Sequence, residues 1–338
     1  MKKKVTIHDL AKMLNIDSST VSRALANSPR VKQKTRDLIQ AKAKELGYSR
    51  NVVASNLRSK RTLTIGVVVP YISRYFFSTV IAGIEEHATE NGYQVIICQS
   101  HDQIEREQQM IQTLLSYQVD GLLVSISMET ENTDHLKHVL NQEVPLVLFD
   151  RKCNGLSLPT IHIDDFQMGY EATKHLIDQG CRRIVHFTGS DQISIYHDRK
   201  QGYCQALKDH GLVVSEELIL TSALKEADGK LLAQQVLDMP LRPDGIFCAN
   251  DLTAISAMQL LIEKGVKIPE DIAFVGFSNE PLGNYLSPAL TSVNQNPKEI
   301  GKVAMQTLLG ELSTKPSPDT DRLVPAHLVV RASSLKKG

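Results

Sequence analysis

Residues 6–48 read TIHDLAKMLNIDSSTVSRALANSPRVKQKTRDLIQAKAKELGY. Thr6 stands where an N-cap belongs, Asp9 follows three residues later as in a capping box, and Ile7, Leu10, Ala11 and Leu14 recur at helical spacing. A short helix with one apolar stripe is therefore predicted. Asn15 and Ile16 break the period, Asp17 suits a second N-cap, and Val21, Ala24 and Leu25 mark the inner side of a second short helix. A third helix from about Lys32 is expected to bury Val31, Thr35, Leu38, Ile39 and Leu46 and to stop at Gly47, a favoured residue just past a helix end. Two short helices on a tight turn, braced by a third, form a helix-turn-helix, whose second helix enters the DNA major groove through its N-terminal residues. Here those are Asp17, Ser18, Ser19, Ser22 and Arg23. Serine hydroxyls donate or accept at base edges and phosphates, and an arginine fork matches O6 and N7 of guanine.

Charge separates this head from the rest of the 338-residue chain. The first 62 residues hold 15 basic and four acidic side chains, a balance of +11, so a chain of net charge zero carries −11 on the remaining 276 residues. A compact basic segment is an electrostatic footprint for polyanions, because each phosphate contact releases condensed counterions. Apolar residues make up 42% and charged residues 22%, which excludes collagen, coiled-coil and wholly disordered classes. No apolar run approaches a membrane span, and the lysines at 2–4 lead into no apolar stretch of a signal peptide, so a cytoplasmic location is expected. Cys98, Cys153, Cys181, Cys204 and Cys248 are odd in number and scattered, which suggests neither a disulfide framework nor a zinc site.

The head, V-T-I-x-D-L-A-x-x-x-x-I-x-x-S-T-V-S-R-A-L followed by R-V-x-x-x-T-R and E-L-G-Y, resembles without a gap from Val5 to Tyr48 the DNA-binding head of the lactose-repressor (LacI/GalR) family. The resemblance places Asp17, Ser18, Ser19, Ser22 and Arg23 in the major groove, and Thr6, Thr35 and the stretch from Arg30 to Lys32 on phosphates, and Tyr48 is expected among the DNA-binding residues as well. Asp17 replaces the usual Ser, and Ala26 stands before Asn27 where many members carry Asn. Residues 50–62 match the family's hinge, which becomes helical on DNA and wedges a Leu into the minor groove. Leu57 holds that position here, while Arg50 and Ser55 depart from the hinge pattern. Disorder of this hinge without DNA is expected.

From Thr64 onward short apolar runs alternate with amphipathic segments. The runs include TIGVVV, QVIICQ, GLLV, PLVLF, RRIVHF, ELILTS, GIFCA and IAFVGF, with helices expected near 77–91, 105, 135, 203–210, 237 and 264. Such alternation indicates parallel sheets covered on both faces, and one sheet of ten strands is unusually large, so two lobes are expected. The predicted fold class is an all-α helix-turn-helix head (1–49), a hinge (50–62) and an α/β body (63–338) of two doubly wound parallel-sheet lobes. By resemblance the body is periplasmic-binding-protein-like, with lobe one at about 63–162 and 292–323 and lobe two at about 163–291 and 324–338.

Ligands in open α/β sheets sit at the carboxyl ends of strands. Tyr75, Phe76, Phe77, Ser125, Ser127, Asp150, Asp164, Arg199, Asn250, Asp251, Ser278 and Gln295 lie at or just beyond such ends. Carboxylates, amides and an arginine fork around aromatic rings suit a polyhydroxylated ring. The resemblance assigns effector contacts to Phe76, Phe77, Ser125, Asp150, Arg199, Asn250, Ser278 and Gln295. Phe77 also fits a core position, Asp251 a helix cap and Asp164 a loop cap. Many sugar-binding members carry Asp where Ser278 stands, which points to an altered, acidic or phosphorylated ligand, or to compensation by Asn279 or Glu280.

The chain holds no phosphate-binding P-loop, G-x-G-x-x-G, G-x-S-x-G or H-E-x-x-H motif, and its 11 histidines lack metal-ligand spacing. An enzyme is not expected, nor any cofactor or metal. The expected function is a homodimeric regulator of a carbohydrate-use operon, a repressor on palindromic operator DNA with a small effector in the cleft. An activator, a protein corepressor or a sugar sensor without DNA are the alternatives.

Overall fold

The computed structural model describes residues 5–25, 27–48, 61–130, 132–153, 155–313 and 321–336. The chain forms two compact units, Met1–Thr62 and Leu63–Gly338.

In the first unit α1 (Ile7–Leu14), α2 (Ser18–Leu25) and α3 (Gln33–Glu45) follow the sequence pattern. Thr6 and Asp9 form the expected capping box, with Thr6 N to Asp9 Oδ2 at 2.9 Å and Asp9 N to Thr6 Oγ1 at 3.3 Å. Asn15 closes α1 in the left-handed region at φ 52°, so Asn15–Asp17 make a three-residue turn. Leu10, Ala11, Val21, Ala24, Val31, Ile39 and Ala43 form the core. Leu38, expected inside, is 55% exposed: with Ile39 and Ala43 facing inward one turn apart, its side chain falls on the helix flank. Thr35 and Leu46 are half-buried.

The second unit holds two six-stranded sheets. The first, in order β11-β5-β4-β3-β1-β2, joins β1 (Thr64–Val69), β2 (Gln94–Gln99), β3 (Gly121–Val124), β4 (Leu146–Phe149), β5 (Thr160–His162) and β11 (Asp321–Leu323), all parallel. The second, β12-β10-β9-β8-β6-β7, joins β6 (Ile184–Thr188), β7 (Ile219–Thr221), β8 (Gly245–Cys248), β9 (Ala273–Phe277), β10 (Thr291–Asn294) and β12 (His327–Val329), with only β12 antiparallel. Packed on the sheets are α4 (Tyr75–Glu90), α5 (Ile104–Ser116), α6 (Asp134–Asn141), α7 (Asp165–Asp178), α8 (Ser194–Asp209), α9 (Glu226–Asp238), α10 (Asp251–Glu263) and α11 (Pro297–Glu311).

Two expectations need correction. Ser292 belongs to β10 of the second sheet, because its register against β9 continues that sheet, and the chain returns to the first lobe only after Asn294. The helix placed at 203–210 starts nine residues earlier, which puts Arg199 on a helix. The two lobes share one device: paired glycines let two helices cross in backbone contact. A Cβ on Gly83 or Gly301 would fall 2.2 or 2.0 Å from a carbonyl oxygen across the α4–α11 crossing. One on Gly169 or Gly202 would fall 2.4 or 2.1 Å from a carbonyl oxygen between α7 and α8, at Arg199 and Phe166 respectively. In each sheet the strand order reverses beside the first strand of its lobe, β1 or β6, and a crevice opens at such a reversal.

Candidate nucleic-acid interface and ligand cleft

The Asp17 carboxylate accepts from Ser19 N at 2.8 Å, and its carbonyl accepts from Thr20 and Val21 N. The substitution of Asp for Ser thus keeps the turn that opens α2. The hydrogen bonds from Ser19, with Arg23 one turn on, hold this carboxyl below the usual range, so it is an anion at neutral pH. Val21 and Ala24 face the head core, leaving Ser18, Ser19 and Ser22 half-buried and Arg23 exposed. Thr6 and Lys32 are exposed at helix starts and Arg30 is exposed on the loop before α3, while Thr35 and Tyr48 are half-buried, the latter packed on the core. Arg36 donates to the carbonyls of Ser28 and Val31 at 2.9 and 3.0 Å and so fixes the loop carrying Arg30. Leu57, the departures at Arg50 and Ser55, and Ala26 lie outside the described residues, as does the expected hinge disorder.

Between the lobes of the second unit lies a cavity of about 380 Å³. Of the effector residues expected from sequence, Phe76, Phe77, Asp150, Arg199, Asn250, Ser278 and Gln295 line it. Phe76 and Phe77 also belong to the core and meet edge to face at 5.1 Å, so both readings of Phe77 describe the same side chain. Ser125 is fully buried and does not line the cleft. Asp164 is exposed, caps α7 through Gln167 N at 2.8 Å and lines a separate small cavity. Its neighbour Asp165 points inward instead.

Two buried arginines organise the cleft. Arg151 donates to Asp102 at 2.6 Å and to the Ile126 carbonyl at 2.7 Å, with its Nε 3.7 Å from Asp150. It thereby ties together the loops after β2, β3 and β4. From the other lobe, Arg199 donates Nε to Asp165 and Nη1 to the Ala249 carbonyl, both at 2.8 Å, and lies 3.6 Å over the Phe277 ring. Arg199 lines the cavity, and neither of these hydrogen bonds uses its Nη2. Burial raises the carboxyl of Asp150 despite both arginines, and pushes that of Asp165 up to about 7 against the pull of Arg199. Arg151, Asp102, Asp165 and Tyr196 were missed from sequence. An Arg directly after a strand-end Asp was a visible signal. Which of two adjacent aspartates turns inward was not visible, and Tyr196 was hidden by the late start assigned to its helix.

Asn250, not Asp251, caps α10: its Oδ1 accepts from Thr253 N and its Nδ2 donates to the Leu224 carbonyl, both at 2.8 Å. Asp251 is buried, accepts from Ser292 Oγ at 2.7 Å and from Glu280 N at 2.7 Å, and so pins the loop after β9. In that loop Ser278 and Asn279 hold φ of 115° and 51°. His101, Asp102, Asp150 and Leu224 also line the cleft with positive φ, and such costly backbone clusters at binding sites. Ser278 donates to Gln295 at 3.0 Å, Asn279 accepts from Arg331 at 2.7 Å and does not line the cleft, and Glu280 faces the cavity. Burial, with Asp251 alongside, pushes the Glu280 carboxyl up to about 7 against the pull of Arg74.

A helix-turn-helix head on a two-lobed body with an inter-lobe cleft defines a DNA-binding transcription regulator with an effector-binding domain. The chain belongs to the LacI family: residues 6–51 match "Bacterial regulatory proteins, lacI family", and residues 62–328 match "Periplasmic binding proteins and sugar binding domain of LacI family". It is 33% identical over 329 residues to the transcriptional repressor CytR of Escherichia coli K12, covering 97% of this chain and 96% of that protein. It is 34% identical over 304 residues to the ribose operon repressor of Haemophilus influenzae, covering 90% and 91%. The transcription regulator CcpA of Lactococcus lactis superposes with a TM-score of 0.75 at 28% identity, covering 80% of this chain and 98% of that one. The lac repressor dimer bound to operator and the anti-inducer ONPF shares the fold, with a TM-score of 0.89 at 24% identity over 98% and 100% of the two chains. The chain is thus a regulator by family, not an enzyme. Among the described residues no helix is long and apolar enough to cross a membrane.

Proposed function

We propose that this protein represses an operon for carbohydrate use, and that a neutral sugar in the inter-lobe cleft controls its hold on operator DNA. One observation carries the choice of ligand: both buried arginines of the cleft already hold a carboxylate, Arg151 with Asp102 and Arg199 with Asp165. A phosphorylated or acidic ligand would bring a further anion to cations that are already paired, whereas hydroxyls need only donors and acceptors. Asp150 from one lobe and Arg199 Nη2 from the other supply these, with Asn250 and Gln295 beside them and aromatic rings for the ring face. Glu280 takes the acceptor role that Asp plays at the Ser278 position in other members. CytR and the ribose operon repressor are repressors, and a homodimer reading a palindromic operator in the cytoplasm, where the DNA is, fits the helix-turn-helix mode. A sugar that bridges the lobes biases their angle and so the spacing of the two heads. Calorimetric titration of the full chain with neutral aldoses and their 6-phosphates tests the ligand class. We expect a neutral sugar to bind and Asp150→Asn to weaken it at least tenfold, about 1.4 kcal/mol. Tighter binding of the phosphates overturns the neutral-ligand assignment.

A further inference from the structure

Behind Arg151 and Met128, which line the main cleft, lies a second chamber of about 320 Å³ that shares both side chains as its wall. We propose that this chamber seats a second polar ring, so that the effector is a disaccharide or a neutral glycoside; the proposal rests on the carbohydrate reading of the main cleft. The main cavity alone lies near the lower end of small-ligand pockets, about 300–1,000 Å³, and suits a single ring. The second chamber is nearly as large and also draws on both lobes: Ser127 and Lys152 from the first, Gln192 and Ser194 from the second, over apolar Ile126 and Ile193. Its polar groups are placed for hydroxyls. Thr130 donates to Glu107 at 3.0 Å, so the Ser127 hydroxyl donates to Thr130 at 2.7 Å and keeps its own oxygen as an acceptor. The helix α8 opens onto the chamber at Ser194 with no side-chain cap. On the shared wall Arg151 is only 4% exposed, and its buried Nε has no hydrogen-bond partner. Such a donor is costly to leave unmet, and it lies 3.7 Å from the Asp150 carboxylate at the wall that the two chambers share.

Charge favours a neutral ring over an anion here as well. Arg151 is matched by Asp102 and Asp150, and Lys152 lies 3.5 Å from Asp321. The test titrates the full-length protein with glucose, galactose and ribose, with maltose, lactose and cellobiose, and with glucose 6-phosphate. The same titrations are made on Gln192→Ala and on Ser194→Phe, which fills the chamber; operator affinity of the ligand-free variants reports that they fold. We expect a disaccharide to bind at least tenfold more tightly than its component monosaccharide. Gln192→Ala should weaken the disaccharide about three- to tenfold, as for one lost hydrogen bond, and leave the monosaccharide unchanged. Ser194→Phe should abolish the disaccharide's advantage. Equal affinity for mono- and disaccharides, or a disaccharide indifferent to both variants, overturns the second seat while the monosaccharide reading of the main cleft stands. A preference for glucose 6-phosphate that both variants remove overturns the neutral ring and makes the chamber an anion seat. Binding of no sugar at all overturns this inference together with the reading beneath it.

Discussion

Arg23 stands exposed on the second turn of α2, opposite the buried Val21 and Ala24, and we propose that it reads a base edge. Replacing it by alanine should cost about 1–3 kcal/mol of discrimination, the worth of one bidentate base contact, and leave non-specific DNA binding nearly intact. Competition of operator against scrambled DNA at fixed salt measures this, and an unchanged ratio would remove Arg23 from base reading. Glu280 makes a different prediction, because its carboxyl is pushed up to about 7 by burial and by Asp251. The ionised form is the stronger acceptor for a sugar hydroxyl, so effector affinity should rise as pH rises through 7 and level off above it. The gain should be about two- to fivefold, the margin of a charged over a neutral acceptor. In Glu280→Gln this slope should vanish, as titrations at pH 6, 7 and 8 would show; a slope that persists assigns the titration to another group.

At the scale of elements, the position of Arg199 depends on how closely α7 and α8 cross. A methyl group at Gly169 would stand 2.4 Å from the Arg199 carbonyl oxygen, a contact that backbone alone can relieve. Gly169→Ala should therefore push α8 away, shift the guanidinium off Phe277 and Asp165, and weaken effector binding at least tenfold, more than the usual preference of a helix for alanine would offset. Wild-type effector affinity in this variant would show that the crossing does not place the arginine. Much of the element order was legible in the sequence. The capping box at Thr6 and Asp9, the break at Asn15 and the continuous apolar runs of the central strands each carry a local signal that the fold obeys. The short strands β10, β11 and β12 were not legible, since three or four residues at a sheet edge or lobe crossing show no periodicity. Seven of the eight residues to which the resemblance assigns effector contacts line the cleft, because strand ends converge there, and Ser125 does not. The pair Arg151–Asp102 is not legible because it joins loops 49 residues apart, and Asp165 is not legible beside Asp164 because adjacent residues differ only in the direction that the helix start gives them.

Across the whole molecule, the charge split of +11 on the first 62 residues against −11 on the remainder assigns polyanion binding to the head and leaves the body for ligand and self-association. Operator affinity should fall steeply with salt, as phosphate contacts require, while effector affinity should not. The central claim is that a sugar in the inter-lobe cleft alters the hold of the heads on DNA. It is tested most directly by fluorescence anisotropy of the full chain on DNA from upstream of its own gene, at fixed salt, with and without neutral sugars, repeated for Arg199→Ala. Arg199 lies far in sequence from the head, so its loss should spare DNA binding. The account predicts that one neutral sugar shifts the midpoint of DNA binding at least tenfold, and that Arg199→Ala binds the same DNA with wild-type affinity but no longer responds. A variant that still responds fully, or a wild-type midpoint that no neutral sugar moves, would contradict it.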